Sequence, residues 1–220
     1  MSRLLPLFPL PVVLFPGTPL PLHIFEPRYR TLLADCMDGD RRFGIIFSPE
    51  AAGEESLAAG SVGCVARIES AQGLPDGRSN IVVAGQARFA LERFVDTPHP
   101  YHVGEVADYE DEAESSSLLD ELSERVRGMF TRVARAARTL ADDPDPVPPL
   151  PDDPAQISFN IASMIDLDGP QRQLLLVSRS PAHRLRELES LLGTAVSALE
   201  ARAQVHLHAK SNGHGPSAAI

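Results

Sequence analysis

The chain of 220 residues carries 30 acidic and 20 basic side chains, a formal charge of −10, and is 43% hydrophobic. That apolar content supports one large folded domain or two small ones and excludes disorder as the general state. The negative balance argues against a nucleic-acid surface, which needs a basic footprint.

Cys36 and Cys64 are the only cysteines, far apart in sequence and in apolar contexts. They read as buried thiols in a reducing cytoplasm rather than as a disulfide framework. No apolar run free of helix breakers is long enough to span a membrane, and prolines interrupt the N-terminal apolar stretch. Neither a membrane span nor a signal peptide is expected.

Residues 4–30, LLPLFPLPVVLFPGTPLPLHIFEPRYR, set apolar side chains between prolines at 6, 9, 11, 16, 19, 21 and 27. Proline lacks a backbone donor, so extended pieces at a sheet edge are predicted there. Whether that edge is blocked or offered to another chain is the functional question it raises. Leu20, Leu22 and Ile24 alternate with Pro21, His23 and Phe25, the pattern of a strand with one aliphatic face. Pro27 suits a first helical position. Tyr29, Leu32, Leu33 and Cys36 then share one side, and Gly39 supplies a stop.

Residues 42–48 read as a short buried strand and 49–60 as a polar, alanine-rich loop. SVGCVARIES, the turn LPDGR and NIVVAG predict a hairpin. A further strand in RFALERFV and another around YHVGEVADY bring the total to roughly six strands and one helix before residue 110. Such a set closes most easily as a small barrel or a strongly bent sheet.

After an acidic run at 108–114 the period changes. Leu122, Val126, Met129, Val133, Ala137 and Leu140 mark an amphipathic helix of about 24 residues, ~36 Å long. A proline-rich link, 144–154, ends it. Asp153 and Pro154 open a second helix through Ile157, Ile161 and Ile165. A third, short helix begins near Pro170. Ser180 and Pro181 open the last, with Leu185, Leu188, Leu192, Ala195 and Leu199 on one stripe. Stripes this narrow predict helices that pack on one another as a bundle rather than on the barrel. The segment 205–220 is short, small and polar and reads as a flexible tail.

Little in the sequence points to catalysis. No phosphate-binding loop is present, and Lys210 is the only lysine, which also removes a Ser-Lys dyad. His23, His99 and His102 have no spacing that links them to a nucleophile. His206, His208 and His214 near the end are too sparse for a zinc site, so neither metal nor cofactor is expected. The candidate binding residues are His23, Glu26, Arg28, Tyr29 and Arg30, clustered where the proline-rich strand turns into the first helix. Their structural reading is a local Glu26–Arg28 pair, a hydrogen-bonded His23, and a Tyr29 that fills the barrel end beside Leu32 and Leu33.

The runs LPLFPL, VLFPG, LPLHIFEPRYR and MDGD, then GCVARIE, LPDGR and VAGQARF, resemble the N-terminal substrate-binding domain of the Lon protease. MIDLDGPQRQLLLVSRSPAHRLRELESLL resembles that family's closing segment, with Leu176 where the family often has an acidic residue. The resemblance implies an α+β fold: a PUA-like β pseudo-barrel with one inserted helix over 1–114, a four-helix bundle over 115–204, and the flexible tail from 205.

It also implies a non-enzymatic module that recognises unfolded or apolar polypeptide, an adaptor in proteolysis or quality control whose partners are polypeptide clients and a separate protease or chaperone. A full Lon protease continues into an ATPase and a Ser-Lys peptidase. This chain ends before either, and so is similar to the stand-alone Lon-substrate-binding-domain proteins of bacteria. The alternative is a PUA-like domain that binds RNA or a small molecule.

Overall fold

The computed structural model describes residues 2–49 and 57–212. In chain order the elements are β1 (Arg3–Leu10), β2 (Pro19–Ile24), α1 (Pro27–Asp38), β3 (Arg42–Phe47), β4 (Val62–Gly73), β5 (Ser79–Val95), β6 (Val103–Asp108), α2 (Ser116–Leu140), α3 (Pro154–Met164), α4 (Gly169–Val177) and α5 (Pro181–Asn212). They form two compact units. The first holds the chain through Glu112 together with Ala162–Arg179; the second holds Ala113–Ile161 and the chain from Ser180.

The first unit is built on a sheet of order β2-β5-β4-β3-β1-β6, in which β5 also pairs with β6. The strands β5, β4, β3, β1 and β6 therefore close into a ring, with β2 alongside. Closure depends on β5, a single strand where the sequence pattern suggested two. Residues 79–84 pair with β2, and residues 89–95 pair with β6. Between these two stretches lies Gly85, where an added Cβ would stand 2.0 Å from the Phe15 carbonyl oxygen, so only glycine allows the chain to pass.

The proline-rich β1 is not the edge strand that its composition predicts. Its first half, Arg3 to Pro6, pairs antiparallel with β6, and its second half, Leu7 to Leu10, pairs parallel with β3. Each half meets a partner along one side, which leaves room for Pro6 and Pro9 without a missing ladder bond. The edge belongs to β2.

Helix α1 starts at Pro27, as the sequence suggests, and buries Tyr29, Leu32, Leu33 and Cys36. They pack on Phe8, Ile24, Phe43, Ile68, Ile81 and Val83, the inward faces of the strands. The turn after α1 differs in detail from the expected glycine stop. Gly39 has φ −106°, and Arg41 takes the left-handed conformation at φ 61°. The backbone N–H groups of both donate to the Cys36 carbonyl, at 3.2 and 2.9 Å. A second cluster, with Leu5, Leu7, Ile46, Val65, Phe89 and Val106, fills the ring.

The expected four-helix bundle requires correction, because α4 packs on the sheet unit. Gln173 Nε2 donates to the Val62 carbonyl at 3.0 Å, and the Gly169 backbone lies against the Phe47 ring. The buried Arg88 of β5 donates to the carbonyls of Leu176 and Ser178 at 2.8 and 2.7 Å and pairs with Asp111. A nine-residue helix has too little apolar surface to hold itself on other helices, and these polar contacts tie its C-terminal carbonyls to β5 instead. The unit thus carries α4 in addition to the inserted α1.

The second unit consists of α2, most of α3, and α5. Its core draws Leu122, Val126 and Phe130 from α2, Ile157 and Phe159 from α3, and Leu185, Leu188, Leu192 and Val196 from α5. The α2 stripe is buried at Phe130 and Ala136 where Met129 and Ala137 were expected; Met129 and Val133 are half-buried and Ala137 is exposed. Arg125 and Arg132 bind Glu189 and Glu200 across the α2–α5 pair, each at 2.8 Å. Helix α5 continues through 205–212, so that part of the expected flexible tail is helical. His206 Nε2 and Lys210 both reach Asp142, which supplies the polar anchor. Residues 213–220 lie outside the described residues.

Candidate functional site

The corner between β2 and α1 brings the five sequence-predicted residues together, in unequal roles. Alternation along β2 turns Leu20, Leu22 and Ile24 toward the core and leaves Pro19, Pro21 and His23 exposed. His23 donates through Nδ1 to Asn80 Oδ1 at 2.7 Å, a cross-strand bond to the residue it opposes in register. Phe25 stacks beside it, ring centroids 6.1 Å apart, and is 58% exposed.

Glu26 ends the extended segment as the N-cap residue of α1, with φ −67° and ψ 135°. Its side chain makes no cap; it accepts instead from Arg28 Nε at 3.0 Å. The Arg28 guanidinium lies 4.4 Å from the centre of the Tyr29 ring. Tyr29 is itself 3% exposed and packs on Phe8, centroids 3.9 Å apart. It forms the floor of the corner rather than its surface. Arg30 lies over the β4–β5 turn at Gly77, where an added Cβ would stand 2.2 Å from the guanidinium. Gly77 has φ +80°, so the turn needs glycine for its backbone as well. Asp76 in the same turn binds Arg78, whose hydrogen bonds pull the carboxyl down to about 2.

Beside the corner, the outer face of β2, β5 and β4 forms an open groove of about 590 Å³, bordered by Pro21, His23, Ser70, Gln72, Asn80 and Val82. Sequence reasoning did not single out Val82, Asn80, Ser70 or Gln72. The signal was available: in NIVVAG the alternation that sends Ile81 and Val83 inward also sends Asn80 and Val82 outward.

Neither cysteine is set up as a nucleophile. Burial pushes the thiols of Cys36 and Cys64 up to about 12 in each case. Among the described residues no group of three His, Cys, Asp or Glu side chains is placed to hold a metal ion. His206 is engaged with Asp142 at 2.9 Å, and His214 lies outside the described residues. Among the described residues, no helix is long and apolar enough to cross a membrane.

Residues 4–194 match the family model of the ATP-dependent protease La (LON) substrate-binding domain. Among curated proteins the chain is similar to Lon protease 2 of Herpetosiphon aurantiacus, 30% identical over 199 residues, covering 89% of this chain and 24% of that protein. It is also 30% identical to the Lon protease of Roseiflexus castenholzii over 194 residues, covering 87% of this chain and 24% of that one. The chain therefore spans about a quarter of the length of these relatives.

Among solved structures it is similar to a Lon N-terminal domain protein from Xanthomonas campestris, with TM-score 0.61 and 28% identity over 86% of this chain and 98% of that one. The N-terminal domain of the Mycobacterium avium complex Lon protease shares the fold, with TM-score 0.69 and 18% identity over 87% of this chain and 98% of that one. A match that begins in β1, runs through the corner and groove, and ends within α5 places the chain in the Lon protease substrate-binding domain family.

Proposed function

We propose that the chain binds unfolded, apolar-rich polypeptide at the β2–α1 corner and along the adjoining groove, without catalysing a reaction, as an adaptor that delivers clients to a separate protease or chaperone. Family membership supplies the class of ligand. The observation that carries this reading is Phe25, a large aromatic side chain 58% exposed and stacked on His23, which borders the groove. An exposed aromatic beside an open, partly apolar groove is how a protein meets apolar segments of a partner.

In this reading Phe25 and His23 touch the client, and Arg28 and Arg30 ring the contact with positive charge. Glu26 and Tyr29 hold Arg28 in place from either side. The ring of strands supports a PUA-like description of the barrel. Two free, buried thiols suit work in the reducing cytoplasm.

The test is binding of the full chain to reduced, carboxymethylated lactalbumin and to native lactalbumin, followed by fluorescence anisotropy. The unfolded form is expected to bind and the native form is not. Phe25→Ala is expected to weaken binding roughly tenfold. The double change Arg28→Glu with Arg30→Glu weakens it as well, and both variants keep the parent melting temperature. If the Arg28/Arg30 variant unfolds, the corner is structural. If native and unfolded protein bind alike, the reading fails.

A further inference from the structure

The registers of β2, β5, β4 and β3 assemble three cross-strand rows on the outer face of the sheet. His23, Asn80 and Gln72 form a polar row, and Pro21 and Val82 a row of apolar side chains that ends at Ser70. The third row runs from Pro19 through Ala84 to Arg67 and on to Arg42, its direct partner on β3. All are exposed except Ala84, which is half-buried.

Two arginines directly opposite each other repel and cost stability. Neither Arg42 nor Arg67 forms an ion pair among the described residues. The nearby acids do not neutralise them: Glu69 pairs with neither, and Asp40 accepts only the Arg42 backbone N–H, at 3.1 Å. In a chain of net charge −10, this is a local reversal of sign placed at the end of an apolar strip.

The free edge of β2 narrows how a polypeptide can use this face. Gly85 N–H donates to the Thr18 carbonyl at 2.9 Å, so Thr18 faces β5. By the alternation of an antiparallel ladder, Leu20, Leu22 and Ile24 also turn their backbone groups to β5, and Pro19, Pro21 and His23 turn theirs away. Two of the three outward positions thus have no N–H to give. An added strand would lack most of its donors, so a client lies on the face, held by side chains.

Resting on the polypeptide-binding reading above, we infer that the face selects an extended segment carrying an apolar side chain and a carboxylate two residues apart. The apolar side chain packs on Val82 and Pro21. The carboxylate meets the arginine pair of Arg67 and Arg42, one row or about 7 Å further along the strands and one to two strands, about 5–10 Å, across from Val82, a distance their long side chains span.

The test uses the full chain and three fluorescein-labelled, Gly-Ser-rich peptides that carry Leu-Thr-Asp, Leu-Thr-Asn or Gly-Thr-Asp. The Asp peptide is expected to bind roughly tenfold tighter than the Asn peptide, a preference that fades with salt. The Gly-Thr-Asp peptide binds more weakly than Leu-Thr-Asp. Arg42→Gln with Arg67→Gln removes the Asp preference, keeps binding of the Asn peptide, and leaves the melting temperature unchanged or higher because a repulsion is gone. If that variant fails to fold, Arg67→Gln alone must still reduce the preference.

Equal binding of the Asp and Asn peptides overturns the inference and leaves the polypeptide reading standing. A preference that survives in the variants also overturns it. Failure of all three peptides to bind, with unfolded lactalbumin also unbound, removes both.

Discussion

At the level of single residues, the buried thiols give the sheet unit a defined response to pH. Cys36 and Cys64 are pushed up from 9.0 to about 12, chiefly by burial, and the Tyr101 hydroxyl is raised as well, by burial and by its hydrogen bond to Asp35. In all three the folded value lies above the unfolded one, so the protonated form favours the fold. That contribution is complete below about pH 9 and is lost as pH rises from 9 toward 12. The urea midpoint is expected to be level through neutral pH and to fall above about pH 9, with Cys64→Ala flattening the fall. A wild-type midpoint that stays level to about pH 11 contradicts this.

Arg88 shows a different dependence. At 5% exposure it serves two carbonyls and Asp111, and its guanidinium lies 5.1 Å from the centre of the Tyr109 ring. Arg88→Met leaves those acceptors unpaired and is expected to cost about 3–5 kcal/mol. The urea midpoint reads the loss, and faster amide exchange in α4 locates it.

At the level of elements, β2 shows how a proline-rich stretch acquires a purpose. Pro19 and Pro21 withhold donors from the open side, which blunts an edge that would otherwise pair with another copy. Replacing both with Val restores the donors and is expected to produce concentration-dependent self-association, measured by light scattering after size exclusion. A variant that remains as monodisperse as the parent would show that something else protects this edge.

Much of this was legible in the residues. The alternation of β2, the proline start and stripe of α1, the β4–β5 hairpin and the heptad-like stripes of α2 and α5 are local patterns, and local patterns are what a sequence displays. Three features were not. The place of β1 inside the ring depends on its two halves finding different partners, which no local pattern records. The docking of α4 depends on Arg88, a charged residue whose burial is set by carbonyls about 90 positions away. The continuity of β5 through Gly85 depends on close passage of Phe15. At the corner the five residues adjacent in sequence stay together in space, and the structure separates Tyr29, the floor, from Phe25, the exposed aromatic.

At the level of the whole molecule, net charge and surface charge point in opposite directions. A balance of −10 argues against nucleic acid, yet it conceals two local groups of arginines, Arg28 and Arg30 at the start of α1, and Arg42 with Arg67, brought opposite each other by the registers of the sheet. A surface of this kind suits polypeptide segments that mix apolar and acidic residues, and the aliphatic core beneath gives it a fixed base.

The central claim is that this fold recognises polypeptide because it is unfolded. Anisotropy titration with reduced, carboxymethylated and native lactalbumin tests it most directly. Saturable binding of the unfolded form alone, weakened roughly tenfold by Phe25→Ala at unchanged melting temperature, is the predicted result. Equal binding of both forms, or full affinity in the Phe25→Ala variant, would contradict it.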